Sequence, residues 1–312
     1  MPATFDASST TDEVLDGVDL TGRRVLLTGA SAGLGVETAR VLTDHGASVV
    51  AGVRDQAKAT GALEAAGVPP GAVELRTLDL ASLASVRSFT DGVSADHDGF
   101  DLLIANAGVM ACPLGQTADG FETQFGTNHL GHFTLVGRMA PVLADGGRVV
   151  CLSSAGHRLG DVDLDDPNFE HRPYDEWEAY GQSKTANVLF AVELDRRLSG
   201  RGIRATAVHP GMIYTELSRH MTDESMTRLL ELRGRRQIVA KSVPAGAATT
   251  VWAAAVADAG KVGGRYCEDC AVSPVIDDGN ESPGVMRYAL DPDRARALWS
   301  RSEELVGETF DP

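Results

Sequence analysis

Short apolar runs alternate with longer amphipathic segments from Arg24 onward, and this alternation constrains the fold more than any other feature of the sequence. It is typical of βα units, in which a buried strand is followed by a helix that covers the sheet. Several runs are apolar throughout, as expected for parallel strands that are buried on both faces. The pattern predicts an α/β fold built on one doubly wound parallel sheet. The predicted strands are residues 25–27, 48–51, 73–75, 101–104, 148–152 and 203–208.

The domain organisation follows from what interrupts this rhythm. No linker rich in Pro, Gly or Ser divides the chain, so we expect a single domain over residues 21–312 after a flexible N-terminal tail, residues 1–20. A long helix is expected to begin near Ala118. Two segments fall outside the βα pattern. Residues 155–175 are polar and acidic, and residues 212–242 carry Met and Leu side chains suited to a cover over a substrate.

Composition excludes several classes of function. The net charge of −16 argues against binding to nucleic acid or to an anionic membrane surface. No apolar run reaches the roughly 18 residues that span a bilayer, and the polar first twenty residues do not resemble a secretory signal. Four cysteines are too few for a disulfide framework, and the CxxC spacing of Cys267 and Cys270 lacks a second ligand pair for zinc. We expect a cytoplasmic protein without a bound metal.

A glycine-rich turn, residues 28–35, follows the first strand and opens the first helix with the spacing GxxxGxG. Glycines allow a tight turn and a close approach of the backbone to a ligand. The helix behind them presents unpaired N–H groups, which favour a pyrophosphate. In this position the turn predicts dinucleotide binding. The expected contacts are Gly29, Ser31, Gly33, Leu34 and Gly35.

The end of the second strand indicates which dinucleotide binds. An NAD site places a carboxylate there for the ribose 2′-hydroxyl, whereas an arginine suits the 2′-phosphate of NADP. Val53 occupies the position of that carboxylate and Arg54 follows it, so NADP is favoured; Asp55 keeps NAD open as an alternative. Further cofactor contacts are expected at the ends of the third and fourth strands, although each of these could be only a turn. They are Asp79, Leu80, Asn106, Ala107 and Gly108.

Tyr180 and Lys184 lie four residues apart on a predicted helix and therefore share one face. A phenol titrates near pH ~10, and a cation within roughly 4–6 Å lowers its pKa by one to three units. The pair is therefore a candidate acid–base catalyst. His129, His132 and His209 are expected to pack or to cap and to have no catalytic role.

With the turn at 28–35, Asn106-Ala107-Gly108, Ser153-Ser154 and Tyr180-x-x-x-Lys184 in this order, the chain resembles the short-chain dehydrogenase/reductase family over roughly residues 22–275. Residues 123–133 and 183–187 resemble its retinol dehydrogenase-like branch. The resemblance implies a Rossmann fold with a central, mostly parallel seven-stranded sheet flanked by helices. It also implies a homodimer or homotetramer built on helices around residues 118–144 and 174–199.

The resemblance further assigns roles to individual residues. Tyr180 would be the general acid in reduction and the general base in oxidation, and Ser154 would hold the substrate oxygen. Lys184 would lower the pKa of Tyr180 and contact the nicotinamide ribose. Asn128 would fix a water that links Lys184 to solvent. The loop after the sixth strand would contact the nicotinamide carboxamide, and its cofactor residues would be Pro210, Gly211, Ile213 and Thr215.

The sequence therefore predicts an NADP(H)-preferring oxidoreductase that interconverts a carbonyl and an alcohol on a small-molecule substrate. Two alternatives remain: reduction of a conjugated C=C bond, and a non-catalytic binding module that senses NADP(H). Seven apolar side chains of the cover indicate either an apolar substrate or simple packing of the cover. They are Met212, Ile213, Leu217, Met221, Met226, Leu229 and Leu230.

Overall fold

A computed structural model of the chain describes residues 5–232, 240–278 and 283–312. Seven parallel strands form the central sheet in the order β3-β2-β1-β4-β5-β6-β7, and a short eighth strand, β8, pairs antiparallel with β7. The predicted mostly parallel seven-stranded sheet is confirmed, with β8 as an addition at its edge. The strands are β1 (Arg24–Thr28), β2 (Ser48–Val53), β3 (Val73–Thr77), β4 (Phe100–Ala105), β5 (Leu143–Leu152), β6 (Arg204–His209), β7 (Tyr266–Glu268) and β8 (Ala271–Val272), with β9 (Val275–Ile276) and β10 (Val285–Met286) in a separate small sheet.

Helices cover both faces of the sheet, because successive side chains of a strand point to opposite faces. In β1, Val25 and Leu27 pack into the hydrophobic cluster under α1, α2, α3 and α9, whereas Leu26 packs into the cluster under α4, α6, α7 and α11. The helices are α1 (Thr11–Leu15), α2 (Gly33–Asp44), α3 (Gln56–Ala65), α4 (Leu83–Asp96), α5 (Thr123–Phe125), α6 (Gly131–Met139), α7 (Glu176–Leu198), α8 (Asp223–Leu232), α9 (Val243–Val251), α10 (Ala259–Val262) and α11 (Pro292–Val306).

The N-terminal segment differs from the flexible tail predicted over residues 1–20. Within its described part, Thr10 caps α1 with a reciprocal capping box to Glu13. Val14 and Leu15 are buried in the cluster beneath α2 and α9. Because the segment is polar overall, its composition did not indicate that these two apolar side chains pack into the core. Residues 5–20 therefore belong to the folded domain, and residues 1–4 lie outside the described residues.

The helix predicted to begin near Ala118 begins at Thr123 instead. The buried Glu122 carboxylate accepts the N–H groups of Gln124 and Phe125 and so caps this later start. A π-helical turn at Gly126–Leu130 then connects α5 to α6. Such turns displace side chains from the regular helical register and are frequent at functional sites.

Of the segment 212–242, predicted to be a substrate cover, the structure describes residues 212–232 and 240–242. A 3₁₀ turn, Glu216–His220, precedes α8. The carbonyl of Ser225 accepts the indole N–H of Trp177 at 3.0 Å, which fastens α8 to the start of α7. Leu229 is buried against Trp177 and Tyr180. Part of the apolar side of the cover is therefore packing.

The C-terminal helix α11 covers α6 and α7, the helices that we expect to form an oligomer. Trp299 packs edge-on against Phe133, and Phe310 packs against the same ring from the chain terminus. Glu308 pairs with Arg138 at 2.7 Å. A partner that used this face of α6 and α7 would have to displace α11.

None of the helices in residues 5–232, 240–278 and 283–312 combines the length and apolar character needed to cross a membrane.

Candidate active site

A cleft of about 720 Å³ opens at the carboxyl ends of the parallel strands. The strand order reverses between β1 and β4, and the cleft lies at this point. This is the usual ligand position in doubly wound sheets. The predicted cofactor and catalytic residues converge on it from separate parts of the chain. Those in its wall are Gly29, Ser31, Leu34, Gly35, Arg54, Asp79, Leu80, Asn106, Ala107, Gly108, Ser154, Tyr180, Lys184, Pro210, Gly211, Ile213 and Thr215.

The glycine-rich turn has the geometry of a phosphate cradle. Gly29 has φ +81°, and a Cβ at Gly35 would lie 1.9 Å from the Gly29 carbonyl oxygen, so neither position accepts a side chain. Ala32 is the N-cap residue of α2, and none of the described side chains caps the first turn of this helix. The free N–H groups and positive end of α2 therefore face the cleft, where a pyrophosphate fits.

Asn106 holds this turn from the neighbouring strand. Its side-chain nitrogen donates to the carbonyls of Thr28 and Gly29 at 2.8 and 3.1 Å. Its backbone N–H and that of Ala107 both donate to the Thr28 hydroxyl oxygen at 3.0 Å. The amide nitrogen of Asn106 is therefore committed to shaping the turn, and only its oxygen is left to contact a ligand.

At the end of β2, the exposed Arg54 lines the cleft, and the Asp55 carboxylate accepts the backbone N–H of Lys58 at 2.9 Å as the cap of α3. The Lys58 side chain also lines the cleft, where it pairs with Glu216 of the cover. Sequence reasoning missed Lys58. Its position one helical turn beyond Arg54 was the available signal.

Asp79 and Leu80 border the cleft after β3. One Asp79 oxygen accepts the N–H of Ala81 at 3.0 Å, so this carboxylate also shapes its own turn. On the opposite side, Thr215 packs on the glycine-rich turn: a Cβ at Gly33 would lie 2.9 Å from the Thr215 methyl group. The loop after β6 therefore closes directly over the turn.

Tyr180 and Lys184 lie on α7 at the floor of the cleft, and both are buried. The ammonium nitrogen of Lys184 lies 5.7 Å from the centroid of the Tyr180 ring and donates to the carbonyl of Leu152 at 3.1 Å. Because Leu152 is the last residue of β5, this hydrogen bond fixes the position of the Lys184 ammonium relative to the Tyr180 phenol.

Burial dominates the titration of this pair. It raises the pKa of the Tyr180 phenol to about 12, and a hydrogen bond with Ser154 acts in the opposite direction. Burial also lowers the pKa of Lys184 to about 8. The pKa of the phenol is therefore raised in this structure, and not lowered by Lys184 as the sequence led us to expect.

Ser154 stands beside Tyr180 at the end of β5. Its hydroxyl oxygen accepts the N–H of Gly156 at 3.0 Å, which leaves the hydroxyl hydrogen free to point into the cleft. A Cβ at Gly156 would lie 2.7 Å from the Tyr180 ring, so glycine is needed here for the phenol to approach the serine.

Asn128 lies in the π-helical turn and is fully buried. Its side chain accepts the N–H of Val109 at 2.8 Å and donates to the Val109 carbonyl at 2.9 Å. It also donates to the Ser183 hydroxyl at 2.9 Å. The side chain therefore joins the loop after β4 to α7, the helix that carries Tyr180 and Lys184.

Two buried histidines support this region without lining the cleft. His132 bridges the Thr28 hydroxyl at 2.9 Å and the Asn128 carbonyl at 3.0 Å. His129 contacts the Ser302 hydroxyl of α11 at 2.8 Å. Burial lowers the pKa of His132 to about 4 and that of His129 to about 3, so both are neutral at pH 7. They pack, as predicted.

The four cysteines are free and buried, including Cys267 and Cys270 in the β7–β8 hairpin. Burial raises the pKa of Cys267 to about 12 and that of Cys270 to about 11, which leaves them as unreactive thiols at neutral pH. Across the described ranges, no cluster of three or more His, Cys, Asp or Glu side chains could hold a metal ion.

This fold and cleft define an oxidoreductase that uses a nicotinamide dinucleotide. The family model for short chain dehydrogenases matches residues 23–225, and the chain belongs to the short-chain dehydrogenase/reductase family. Its members act on CH–OH or C=O groups with NAD(P), and the chain is an enzyme of this class.

Similar proteins cover nearly the whole chain. The "Probable oxidoreductase" of Streptomyces lividans is 43% identical over 291 residues, which are 90% of this chain and 97% of that protein. Retinol dehydrogenase 14 of Mus musculus is 38% identical over 300 residues, which are 92% and 86% of the two chains. The crystal structure of an uncharacterised protein from Mycobacterium paratuberculosis has a TM-score of 0.75 at 39% identity and covers 97% of this chain and 99% of that chain. The resemblance to the retinol dehydrogenase-like branch is thereby confirmed.

Proposed function

We propose that this chain interconverts a carbonyl and an alcohol on an apolar small molecule with NADP(H), and that Tyr180 is its general acid and base. The observation that carries the proposal is the meeting of Tyr180, Ser154 and Lys184 on one cleft wall, beside an uncapped helix N-terminus suited to a pyrophosphate. A nicotinamide dinucleotide supplies hydride transfer. The chain supplies alignment, the proton and the exclusion of water.

The residues divide the work between orientation and proton transfer. The Ser154 hydroxyl, whose oxygen accepts the Gly156 N–H, donates to the substrate oxygen and fixes its position. In reduction, the Tyr180 hydroxyl gives its proton to that oxygen as negative charge develops on it. The Lys184 ammonium stabilises the phenolate left behind, and Asn128 maintains the distance between the loop after β4 and α7.

The preference for NADP rests on the end of β2. The Asp55 carboxylate is engaged as the cap of α3, while the cations of Arg54 and Lys58 face the cleft, where a phosphate would compete with Glu216 for Lys58. Two cations favour a 2′-phosphate over a 2′-hydroxyl. In the substrate region, Met110, Met212 and Leu217 line the cleft and favour an apolar substrate. The cytoplasmic location and a homo-oligomer remain predictions, and an oligomer would need a face other than the part of α6 and α7 under α11.

The test of the reaction is turnover with a panel of ketones and aldehydes, followed through NADPH oxidation. Tyr180→Phe is expected to lower kcat by about 10²–10⁴-fold while NADPH still binds. Tyr214→Phe makes the same chemical change on an exposed side chain and should leave kcat unchanged. Full activity of Tyr180→Phe would refute the mechanism.

The products distinguish the alternatives. An alcohol product supports carbonyl reduction, whereas a saturated product that keeps its carbonyl would indicate C=C reduction. Tight NADPH binding without turnover on any carbonyl would indicate a sensing module. For the cofactor, Arg54→Ser and Lys58→Ser should each raise the Kd for NADPH about tenfold and leave that for NADH unchanged, measured by fluorescence titration. Equal affinities of the unaltered protein for both cofactors would contradict the preference.

A further inference from the structure

The C-terminal segment Val285–Leu290 lies behind the catalytic serine, far from it in sequence. It comprises β10 and a 3₁₀ turn, Arg287–Leu290. The family match ends at residue 225, so the segment lies outside the part of the chain that the family model describes. Two of its hydrogen bonds reach one residue, His157, which follows Ser154 by three positions and does not line the cleft.

The partners of the His157 ring determine its tautomer. Nε2 lies 3.1 Å from the backbone nitrogen of Met286, and a backbone N–H can only donate, so Nε2 accepts. The ring proton is therefore assigned to Nδ1, which donates to the carbonyl oxygen of Ser154 at 2.7 Å. The side chain is fully buried. The imidazole thus connects the backbone of β10 directly to the peptide of the catalytic serine.

Further contacts immobilise His157 itself. Its carbonyl accepts the hydroxyl of Tyr288 at 2.7 Å and that of Thr185 at 3.0 Å. The Tyr266 ring packs 4.9 Å from the imidazole between ring centroids. Elements β7, α7 and the C-terminal segment therefore hold one histidine from three directions.

A second link joins Arg158, the residue after His157, to Gly284, which directly precedes the segment. The guanidinium of Arg158 donates to the Gly284 carbonyl at 2.7 Å and lies 3.8 Å from Glu268, and both charged side chains are buried. The Glu268 carboxylate in turn accepts the N–H of Gly284 and the hydroxyl of Ser273 at 2.9 Å. A buried ion pair whose members are held by further hydrogen bonds favours one arrangement of the groups around it.

We propose that His157 is a positioning residue. It links the C-terminal segment Val285–Leu290 to the backbone of Ser154, and so holds the serine hydroxyl at its working distance from Tyr180. This rests on the proposed function, in which Ser154 orients the substrate oxygen. Misplacement of the serine affects the chemical step and leaves the dinucleotide site intact, because His157 contacts none of that site. The expected signature is a loss of kcat at unchanged NADPH affinity.

Two substitutions separate the two bonds of the imidazole. The amide nitrogen of asparagine takes the place of Nδ1, so His157→Asn keeps the donor to Ser154 and loses the acceptor for Met286. The longer glutamine puts its amide at the place of Nε2, so His157→Gln keeps the bond to Met286 and loses that to Ser154. We expect His157→Asn, which loses the bond to the segment, to lower kcat several-fold, and His157→Gln, which loses the bond to the Ser154 carbonyl, to lower it about tenfold or more. Neither should change the Kd for NADPH.

An unchanged kcat in either variant, or a larger loss in His157→Asn than in His157→Gln, would overturn the proposal. If His157→Gln fails to fold, Tyr288→Phe provides the second test. It removes one hydroxyl bond to the His157 carbonyl, and we expect kcat to fall several-fold with no change in NADPH affinity; an unchanged kcat would contradict the role of the segment.

A crystal structure of His157→Gln gives a readout that does not depend on turnover. The Ser154 hydroxyl should move away from Tyr180 even if the reaction assigned above is wrong, and an unmoved hydroxyl would also overturn the proposal.

Discussion

The ammonium nitrogen of Lys184 lies 5.7 Å from the centre of the Tyr180 ring, and neither group is exposed to solvent. If a phenolate forms in this buried site, the charge of Lys184 stabilises it, since little water screens the two charges. The same burial makes the charge costly, and the pKa of Lys184 falls to about 8. The lysine is therefore charged at neutral pH, and it loses its proton at alkaline pH values that an enzyme assay can reach.

The first prediction concerns the pH profile of carbonyl reduction. Above about pH 8 Lys184 loses its charge, the phenolate loses its stabilising partner, and kcat/KM should fall with an apparent pKa near 8. The Tyr180 phenol does not cause this fall, because its pKa of about 12 keeps it protonated there. Steady-state kinetics from pH 6 to 10 test the prediction. A profile that stays flat to pH 10 would contradict it.

The second prediction compares two glycine substitutions. Gly35→Ala would place a Cβ 1.9 Å from the Gly29 carbonyl oxygen, so the turn must open and NADPH affinity should fall by at least about tenfold. Gly61→Ala is the matched control: Gly61 lies inside α3, and a Cβ there has open space. It should leave NADPH affinity unchanged and raise the free energy of unfolding by about 0.5–1 kcal/mol. Fluorescence titration and urea unfolding measure the two effects.

The sequence was sufficient for features that local patterns encode. Leu26 and its neighbours form an apolar run because both faces of β1 are covered, and this run can be recognised in the sequence without a structure. Gly35 must lack a side chain because the Gly29 carbonyl, six residues earlier, lies against it, and the spacing of Tyr180 and Lys184 follows from the helical repeat. Each signal lies within a short stretch of the sequence, which is why it could be found.

Features that depend on distant partners were missed. The His157–Met286 bond joins positions 129 residues apart, and nothing near either residue indicates it. Val14 and Leu15 pack under α2 and α9 although their surroundings are polar. The reciprocal cap of Thr10 and Glu13 was a local signal that could have identified α1. Tertiary packing outweighed composition in this segment.

The third prediction concerns Asn128. Asn128→Ala removes three hydrogen bonds and leaves the N–H and carbonyl of Val109 without these buried partners. The free energy of unfolding should fall by about 2–4 kcal/mol. Ser183→Ala removes one of the same bonds, together with that to the Tyr180 carbonyl, and should cost about 1–2 kcal/mol. Urea unfolding of both variants measures the difference. Similar losses in the two would show that Asn128 does not join the loop to α7 as described.

The last prediction concerns stability in acid. Burial lowers the pKa of His129 to about 3 and the pKa values of His132 and His157 to about 4, against 6.5 for the free side chain. Below pH 6.5 the unfolded chain therefore binds more protons than the folded one, and stability is lost as the pH falls. Between pH 7 and pH 5.5 each histidine should cost about 1.2 kcal/mol, or roughly 4 kcal/mol together. The raised pKa values of Glu122 and Glu268 act in the opposite direction.

A variant isolates the histidine contribution. His129→Leu removes one of the three titrations, so the loss between pH 7 and pH 5.5 should shrink by about 1.2 kcal/mol, whatever the substitution costs at pH 7. Urea unfolding curves of both proteins at the two pH values give this difference directly. An unchanged pH dependence would mean that His129 has the same pKa in the folded protein as in the unfolded chain, and that the pocket formed by Phe125, Phe133 and Phe190 does not exclude its charge.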